Sequence, residues 1–168
     1  MLLKLVIAPD PVLEKVAKPV EIITDKLKRI LLKMLDLMYE ENGIGLAAPQ
    51  VGISQRFFVM HIDDNEKPYF FINPVIIKKS KEIAELQEAC LSVPEQSILI
   101  HRPESITVEY LDINGKKNIE NFNGLHSRCI QHEIDHLDGI IIIDHIESKI
   151  ERNVAKQKSV EIKQHISG

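Results

Sequence analysis

The sequence predicts an α+β fold, with antiparallel sheets around a central helix that carries H-E-x-x-H and with helices toward both ends. Three observations predict it. Apolar residues recur at helical spacing near the N-terminus, β-branched and aromatic stretches with turn residues between them fill the middle, and helical spacing returns from residue 125.

Thr24 caps a helix in which Leu27, Ile30, Leu31, Met34, Leu35 and Met38 recur at intervals of three and four, and Gly43 is placed to end it. Residues 56–62 and 69–77 are aromatic and β-branched, so both are expected as strands, and Pro74 limits the second to a bulge or a sheet edge. Residues 105–111 alternate Ile106, Val108 and Tyr110 with polar neighbours. Asn114-Gly115 then supplies a hairpin turn into a strand over 117–121, which makes the sheet antiparallel. A second helix is expected over 125–137, closed by Gly139 in a left-handed cap. A short strand is expected over 140–143 and a polar terminal helix over 147–165.

A chain of 168 residues suits a single domain, 1–168. Lys and Arg number 21 against 25 for Asp and Glu, and a net charge of −4 argues against DNA or another nucleic acid as the main ligand. No apolar run approaches the roughly 18 residues that span a bilayer, so no membrane partner is expected. Lys4 and Asp10 interrupt the N-terminal apolar stretch in a way a secretory leader does not. A cytoplasmic monomer with Cys90 and Cys129 as thiols is the expectation.

The chemistry concentrates in residues 131–136. His132 and His136 stand one helical turn apart on one face, where both imidazoles reach one cation. Glu133 lies about 100° around the helix, placed as a proton carrier beside the ion rather than as a ligand. Cys129, Ile130, Ile134 and Leu137 make the same helix apolar and therefore buried, and buried imidazoles without partners are costly whereas a metal satisfies them. A catalytic site of this kind uses three protein ligands and one open position. Position 142 is Ile where a metzincin carries its third His, and Cys129 sits about 7.5 Å along the axis from the midpoint of the two histidines, too far for its short side chain. Cys90, Glu147 and Glu151 remain open as the third ligand.

Three stretches together resemble the peptide deformylase family. They are Gly43-Ile44-Gly45-Leu46-Ala47-Ala48-Pro49-Gln50, Glu88-Ala89-Cys90-Leu91-Ser92 and Gln131-His132-Glu133-Ile134-Asp135-His136-Leu137-Asp138-Gly139, in the family's order and spacing. The second departs from the pattern, with Ala89 where the family usually has Gly. The resemblance implies Cys90, His132 and His136 as metal ligands, Glu133 as general base and then acid, and the Gln50 amide with the Leu91 backbone N–H as donors to the formyl oxygen. It implies Gly43, Ile44, Gly45, Glu88, Arg128 and Cys129 as substrate-binding residues, with Ala47 and Ala48 small so that a peptide backbone comes close. If the usual Gly has positive φ, Ala89 is strained and shifts Cys90; if φ is negative, little changes. His126 is read as a surface residue, and a solvated Arg128 is an alternative to one at the pocket rim.

The implied activity is metal-dependent removal of the formyl group from N-formyl-Met nascent polypeptides, with release of formate, in the bacterial cytoplasm. The implied cofactor is one divalent ion, Fe2+ in the cell, at a borderline-soft site that also takes Zn2+, Ni2+ or Co2+. Two other readings are a zinc metallopeptidase of the H-E-x-x-H type and a non-catalytic, deformylase-like binding protein. In the tail, Lys149, Arg152, Lys156 and Lys163 share one helix face, beside a seam of Ile146, Ile150 and Val154 by which the helix is expected to dock. That basic face is a candidate contact for ribosomal RNA.

Overall fold

Strand β2 (Phe57–Met60) is buried on both faces, and this decides where two of the helices sit. In the computed structural model, which describes residues 2–167, Phe57 and Val59 pack with Leu31, Met34 and Met38 of α1 (Asp25–Glu40). Phe58 and Met60 face the opposite way and pack with Ile130, Ile134 and Leu137 of α2 (Gly124–Leu137). Alternation along four residues thus serves two layers of core. The sheet is antiparallel and five-stranded, in the order β1 (Gly45–Ala47), β2, β3 (Tyr69–Lys79), β6 (Ser105–Leu111), β7 (Lys117–Asn123). A separate hairpin pairs β4 (Ile83–Cys90) with β5 (Val93–Pro103). A third apolar cluster joins that hairpin to Ile141, Ile142 and Ile143 and to Ala155 of α3 (Lys149–Ser167). The α+β class and the antiparallel pairing are those expected from the sequence.

Local chemistry explains most boundaries. Thr24 Oγ1 accepts from Leu27 N–H at 3.1 Å and starts α1. That helix stops at Glu40, before Gly43, because Asn42 takes the left-handed turn at φ 58° and Gly43 N–H closes on Met38 O at 2.9 Å. Pro74 produces a bulge inside the sheet and not an edge: the β3–β6 register shifts between Ile72 and Val75, and Asn73, at φ 50°, makes two 2.8 Å bonds to the Val20 backbone. Asn114-Gly115 forms the hairpin turn, with Gly115 at φ 79°, and β7 runs two residues further than expected, straight into α2.

Three expectations are corrected. Residues 140–143 are not a strand; Asp144 accepts from Ile141 N–H at 2.9 Å and winds Ile142–His145 into a 3-10 turn whose isoleucines fill the third cluster. β4 and β5 were not expected, because the Glu, Gln and Ala of β4 are weak strand formers and only its pairing with β5 orders it. Of the expected seam only Ile146, just before α3, packs on the third cluster: Ile150 and Val154 are exposed, while the small residues Ala155 and Ser159 face inward and are held by Gln96 Nε2 at 3.2 and 3.0 Å. Among the described residues, no helix is long and apolar enough to cross a membrane.

Gly139 does take the expected left-handed cap, at φ 75°, and a Cβ there would lie 2.6 Å from Glu14 O. Gly139→Ala is therefore expected to destabilise the fold by about 2–4 kcal/mol, from backbone strain together with a collision against main chain. Gly124, at φ 57° with open space around a Cβ, is the control, and its Ala variant should lose only about 1 kcal/mol. Urea denaturation followed by far-UV circular dichroism measures both.

Candidate active site

The β4–β5 hairpin meets α2, and the site lies where they touch. On β4, Glu88 and Cys90 are buried while Gln87 and Ala89 between and before them are exposed, so strand alternation aims both functional side chains at α2. There, His136 Nε2 lies 3.3 Å from Cys90 Sγ, and one donor atom each from Cys90, His132 and His136 fall within 4.8 Å of one another. No other group of this kind occurs among the described residues, and Glu147 and Glu151 are exposed and outside it.

Glu88 is the organiser of this region. Its Oε1 accepts from His132 Nδ1 at 2.9 Å and from Arg102 at 2.9 Å, and its Oε2 accepts from Arg102 Nε at 2.6 Å and also from Arg128. Arg102 in turn reaches Asp135 at 2.9 Å, and His145 lies 2.8 Å from the same carboxylate oxygen. Burial alone would raise the Glu88 pKa, but hydrogen bonds from His132 and Arg102 outweigh it and hold the carboxyl well below the usual range. The ionised Glu88 keeps the proton of His132 on Nδ1 and so turns Nε2 toward the donor cluster. Burial holds His136 well below its ordinary pKa, which keeps a neutral ring available as a ligand.

Glu133 is wholly buried on α2, and its Oε1 has no hydrogen-bond partner among the described residues. Burial pushes its carboxyl up to about 7. Across from it, Gln50 is fixed by its own turn. Its Oε1 accepts from Ala47 N–H at 2.9 Å, which leaves Nε2 to donate to Ser92 Oγ at 3.2 Å and to face Cys90 Sγ at 3.7 Å. The donor set, the orphaned carboxyl oxygen and the Gln50 amide beside Cys90 fit a bound divalent ion with reacting groups beside it.

A cleft of about 360 Å³ gathers Gly43, Ile44, Gly45, Gln50, Glu88, Cys90, Leu91, Arg128, Cys129, His132 and Glu133 on its walls; His136 sits behind it. Several expectations about these residues change. Gly45 is small for the protein's own sake, since a Cβ there would lie 2.6 Å from Glu133 and 2.7 Å from Cys129. Ala47 and Ala48 are fully buried in two core clusters and are out of reach of any peptide. Arg128 is not solvated, because Glu88 and the carbonyls of Ile100 and Ala84 hold its guanidinium. His126 is half-buried against Glu66. Burial raises the Cys129 thiol well above its ordinary pKa, so it stays a protonated wall residue. Positive φ among non-glycine residues occurs at Asn42, Asn73 and Glu95 among the described residues, so Ala89 has a negative φ and the strain that would favour a non-catalytic protein is not there.

Sequence reasoning missed Ser92, Arg102 and Asp135 as supports and Leu86 and Leu125 as walls. A signal existed for Arg102: Ile98, Ile100 and Arg102 share one face of β5, which put the arginine on the buried side.

A helix and a strand cysteine that jointly offer one donor cluster, on an α+β scaffold, place the chain in the class of proteins able to hold a metal ion. Comparisons narrow that class. The family model described as polypeptide deformylase matches residues 2–152. A peptide deformylase of Pelagibacter ubique is 44% identical over 158 residues, covering 92% of this chain and 91% of the relative. The crystal structure of a peptide deformylase from Legionella pneumophila superposes with a TM-score of 0.91 at 37% identity, covering 99% of this chain and 98% of that one. That of Synechococcus elongatus, solved in complex with actinonin, gives 0.86 at 41% identity, covering 93% and 86%. The chain belongs to the peptide deformylase family.

Because Glu88 sets the tautomer and orientation of His132, Glu88→Gln should weaken metal binding by about 10- to 100-fold. Competition with a chromophoric chelator measures it, with the urea midpoint as a check on folding.

Proposed function

We propose that this protein removes the formyl group from the N-formyl-methionine end of nascent polypeptides and releases formate. The observation that carries the proposal is the buried, partnerless Glu133 oxygen in the same cleft as the Cys90, His132 and His136 donors and the Gln50 amide. Cys90, His132 and His136 are the proposed ligands of one divalent ion. The chemistry supplied by that ion when bound is Lewis-acid polarisation of the carbonyl and acidification of water. Glu133, with a pKa near 7, takes a proton from the attacking water and returns it to the leaving amine. Gln50 Nε2, oriented by Ala47 N–H, and the Leu91 backbone N–H hold the formyl oxygen as its charge grows. Gly43, Ile44, Gly45, Arg128 and Cys129 shape the cleft around the methionine and the residues after it, and Glu88 contributes through His132.

Fe2+ is the proposed ion in the cell, and the Cys–His–His set also accommodates Zn2+, Ni2+ or Co2+. A cytoplasmic monomer is the proposed state. A metallopeptidase reading needs a downstream Glu ligand, and the exposed positions of Glu147 and Glu151 disfavour it.

The test is formate release from N-formyl-Met-Ala by anaerobically prepared Fe2+ protein. Wild type should turn over, while Glu133→Ala should keep its metal and lose at least about 100-fold in rate, as removal of a proton carrier does. A variant that loses its metal, or keeps more than about a tenth of the rate, would overturn the role of Glu133.

The α3 tail is proposed to contact ribosomal RNA, through fewer side chains than the helix face offers. Arg152 donates to Ile146 O at 2.7 Å and Lys163 lies 3.8 Å from Asp10, whereas Lys149 and Lys156 are exposed on one face. Reversing both to Glu should abolish co-sedimentation with ribosomes at low salt, where wild type should bind and then dissociate as salt rises. Equal binding by both proteins would reduce the tail to a packed terminus.

A further inference from the structure

Two histidines outside the donor cluster, His61 and His126, converge on a single residue in the β2–β3 connection. The Glu66 backbone carbonyl accepts from His61 Nε2 at 2.8 Å, and its Oε1 accepts from His126 Nε2 at 2.7 Å. A carbonyl only accepts, so His61 carries its proton on Nε2 and its Nδ1 accepts from Tyr39 Oη at 2.5 Å. Asp63 N–H donates to the same Glu66 oxygen at 3.3 Å and wraps the loop around the carboxylate, while Tyr69 packs edge-on against His126.

The backbone anchors of this cluster lead to the cleft. His61 N–H donates to Ile44 O at 2.9 Å, and Met60 pairs with Gly45, so this end of β2 holds the segment 43–45 in place. Tyr39, in the last turn of α1, accepts from Asn42 N–H at 3.1 Å where the chain bends into that segment. His126 stands beside Leu125 in the first turn of α2, and Leu125 lines the cleft. Glu66 thus ties the wall built by Ile44 to the wall built by Leu125. β1 is also an edge strand of its sheet, and an extended peptide adds to such an edge through main-chain hydrogen bonds.

We propose that Tyr39, His61, Glu66 and His126 form a polar latch that fixes the 43–45 edge against α2 and thereby sets affinity for the peptide portion of the substrate. The inference rests on the deformylase reading of the cleft. All four are positioning residues, acting through Ile44, Gly45 and Leu125 and not through the ion.

The experiment compares Glu66→Ala with Glu66→Gln in the metal-loaded enzyme, since Gln keeps an oxygen that accepts from His126. For N-formyl-Met-Ala-Ser, Glu66→Ala should raise KM about fivefold with kcat within about twofold, and Glu66→Gln should restore KM, as expected when one positioning hydrogen bond is lost and regained. N-formyl-methionine amide, which has no further peptide, should be unaffected. Amide hydrogen exchange over residues 43–46 should accelerate in Glu66→Ala alone. An unchanged KM with Glu66→Ala, an equal loss with Gln, or an equal effect on both substrates overturns the latch. If loaded wild type releases no formate from either compound, the deformylase reading fails, and exchange over 43–46 still decides the latch.

Discussion

The ionised Glu88 carboxylate, buried between two guanidinium groups, is the constraint on which the site depends. An unpaired carboxylate at this depth would cost several kcal/mol or take up a proton, and Arg102 and Arg128 prevent both. The network is close to neutral, with Arg102 and Arg128 set against Glu88 and Asp135. Buried ion pairs of this kind add little net stability against an apolar replacement of similar volume, so the contribution of this one is geometric. Arg102 comes from β5, Glu88 from β4, and Arg128, His132 and Asp135 from α2. Five side chains therefore fix how a two-stranded hairpin meets a helix, and the Cys90 thiol and the His132 ring take up their relation as a consequence. Were Glu88 neutral, its hold on two cations and one imidazole would weaken at once, leaving the apolar contacts of Cys90, Val93 and Ile100 to hold the hairpin against the rest of the chain.

A second constraint is the approach of β1 to α2. Gly45 lets the strand pass within contact distance of Glu133 and Cys129, which seals one side of the Glu133 carboxyl from water. Desolvation then raises its pKa toward neutrality, where a group can both take and give a proton. The partnerless oxygen is a local loss of stability, and the core on either side of β2 offsets it. Phe57, Phe58, Val59 and Met60 have no exposed surface. Strength in the sheet thus permits an unpaired polar group on the adjoining helix.

How far the sequence discloses this varies with the kind of signal. α1, the β6–β7 hairpin and α2 follow from periodicity and turn chemistry, because their stabilising contacts recur at fixed local spacing. H-E-x-x-H was legible for the same reason, both imidazoles belonging to one helix. The third donor of the cluster was not: Cys90 lies 42 residues before His132 on a strand with poor local propensity, and spacing left it level with Glu147 and Glu151 until the neighbouring motif was considered. The burial of Ala47 and Ala48 in the core, and the second demand on Gly45 from Glu133 and Cys129, were not legible because small size in a sequence does not say which neighbour needs the room. On α3, Ile150 and Val154 looked like the docking seam by hydrophobicity, yet Gln96 reaches across only to a helix that presents Ala155 and Ser159. Close approach selected small residues over large apolar ones.

The two carboxylates that organise the molecule's polar structure differ in depth, and the difference suits what each supports. Glu88 is almost completely buried, and its bonds to His132 and the arginines form where the effective dielectric is low, so the ring it orients has little freedom. Glu66 keeps about a quarter of its side chain in solvent, and water competes for its bonds to His126 and the Asp63 amide. Donor atoms that must share one ion tolerate displacements of a few tenths of an ångström, which calls for the first kind of support. A wall that must admit peptides of differing sequence works with a softer one. Because the two networks share no side chain, substitutions around Glu66 can alter the cleft's outer wall without passing strain to Glu88 and the donor cluster it supports.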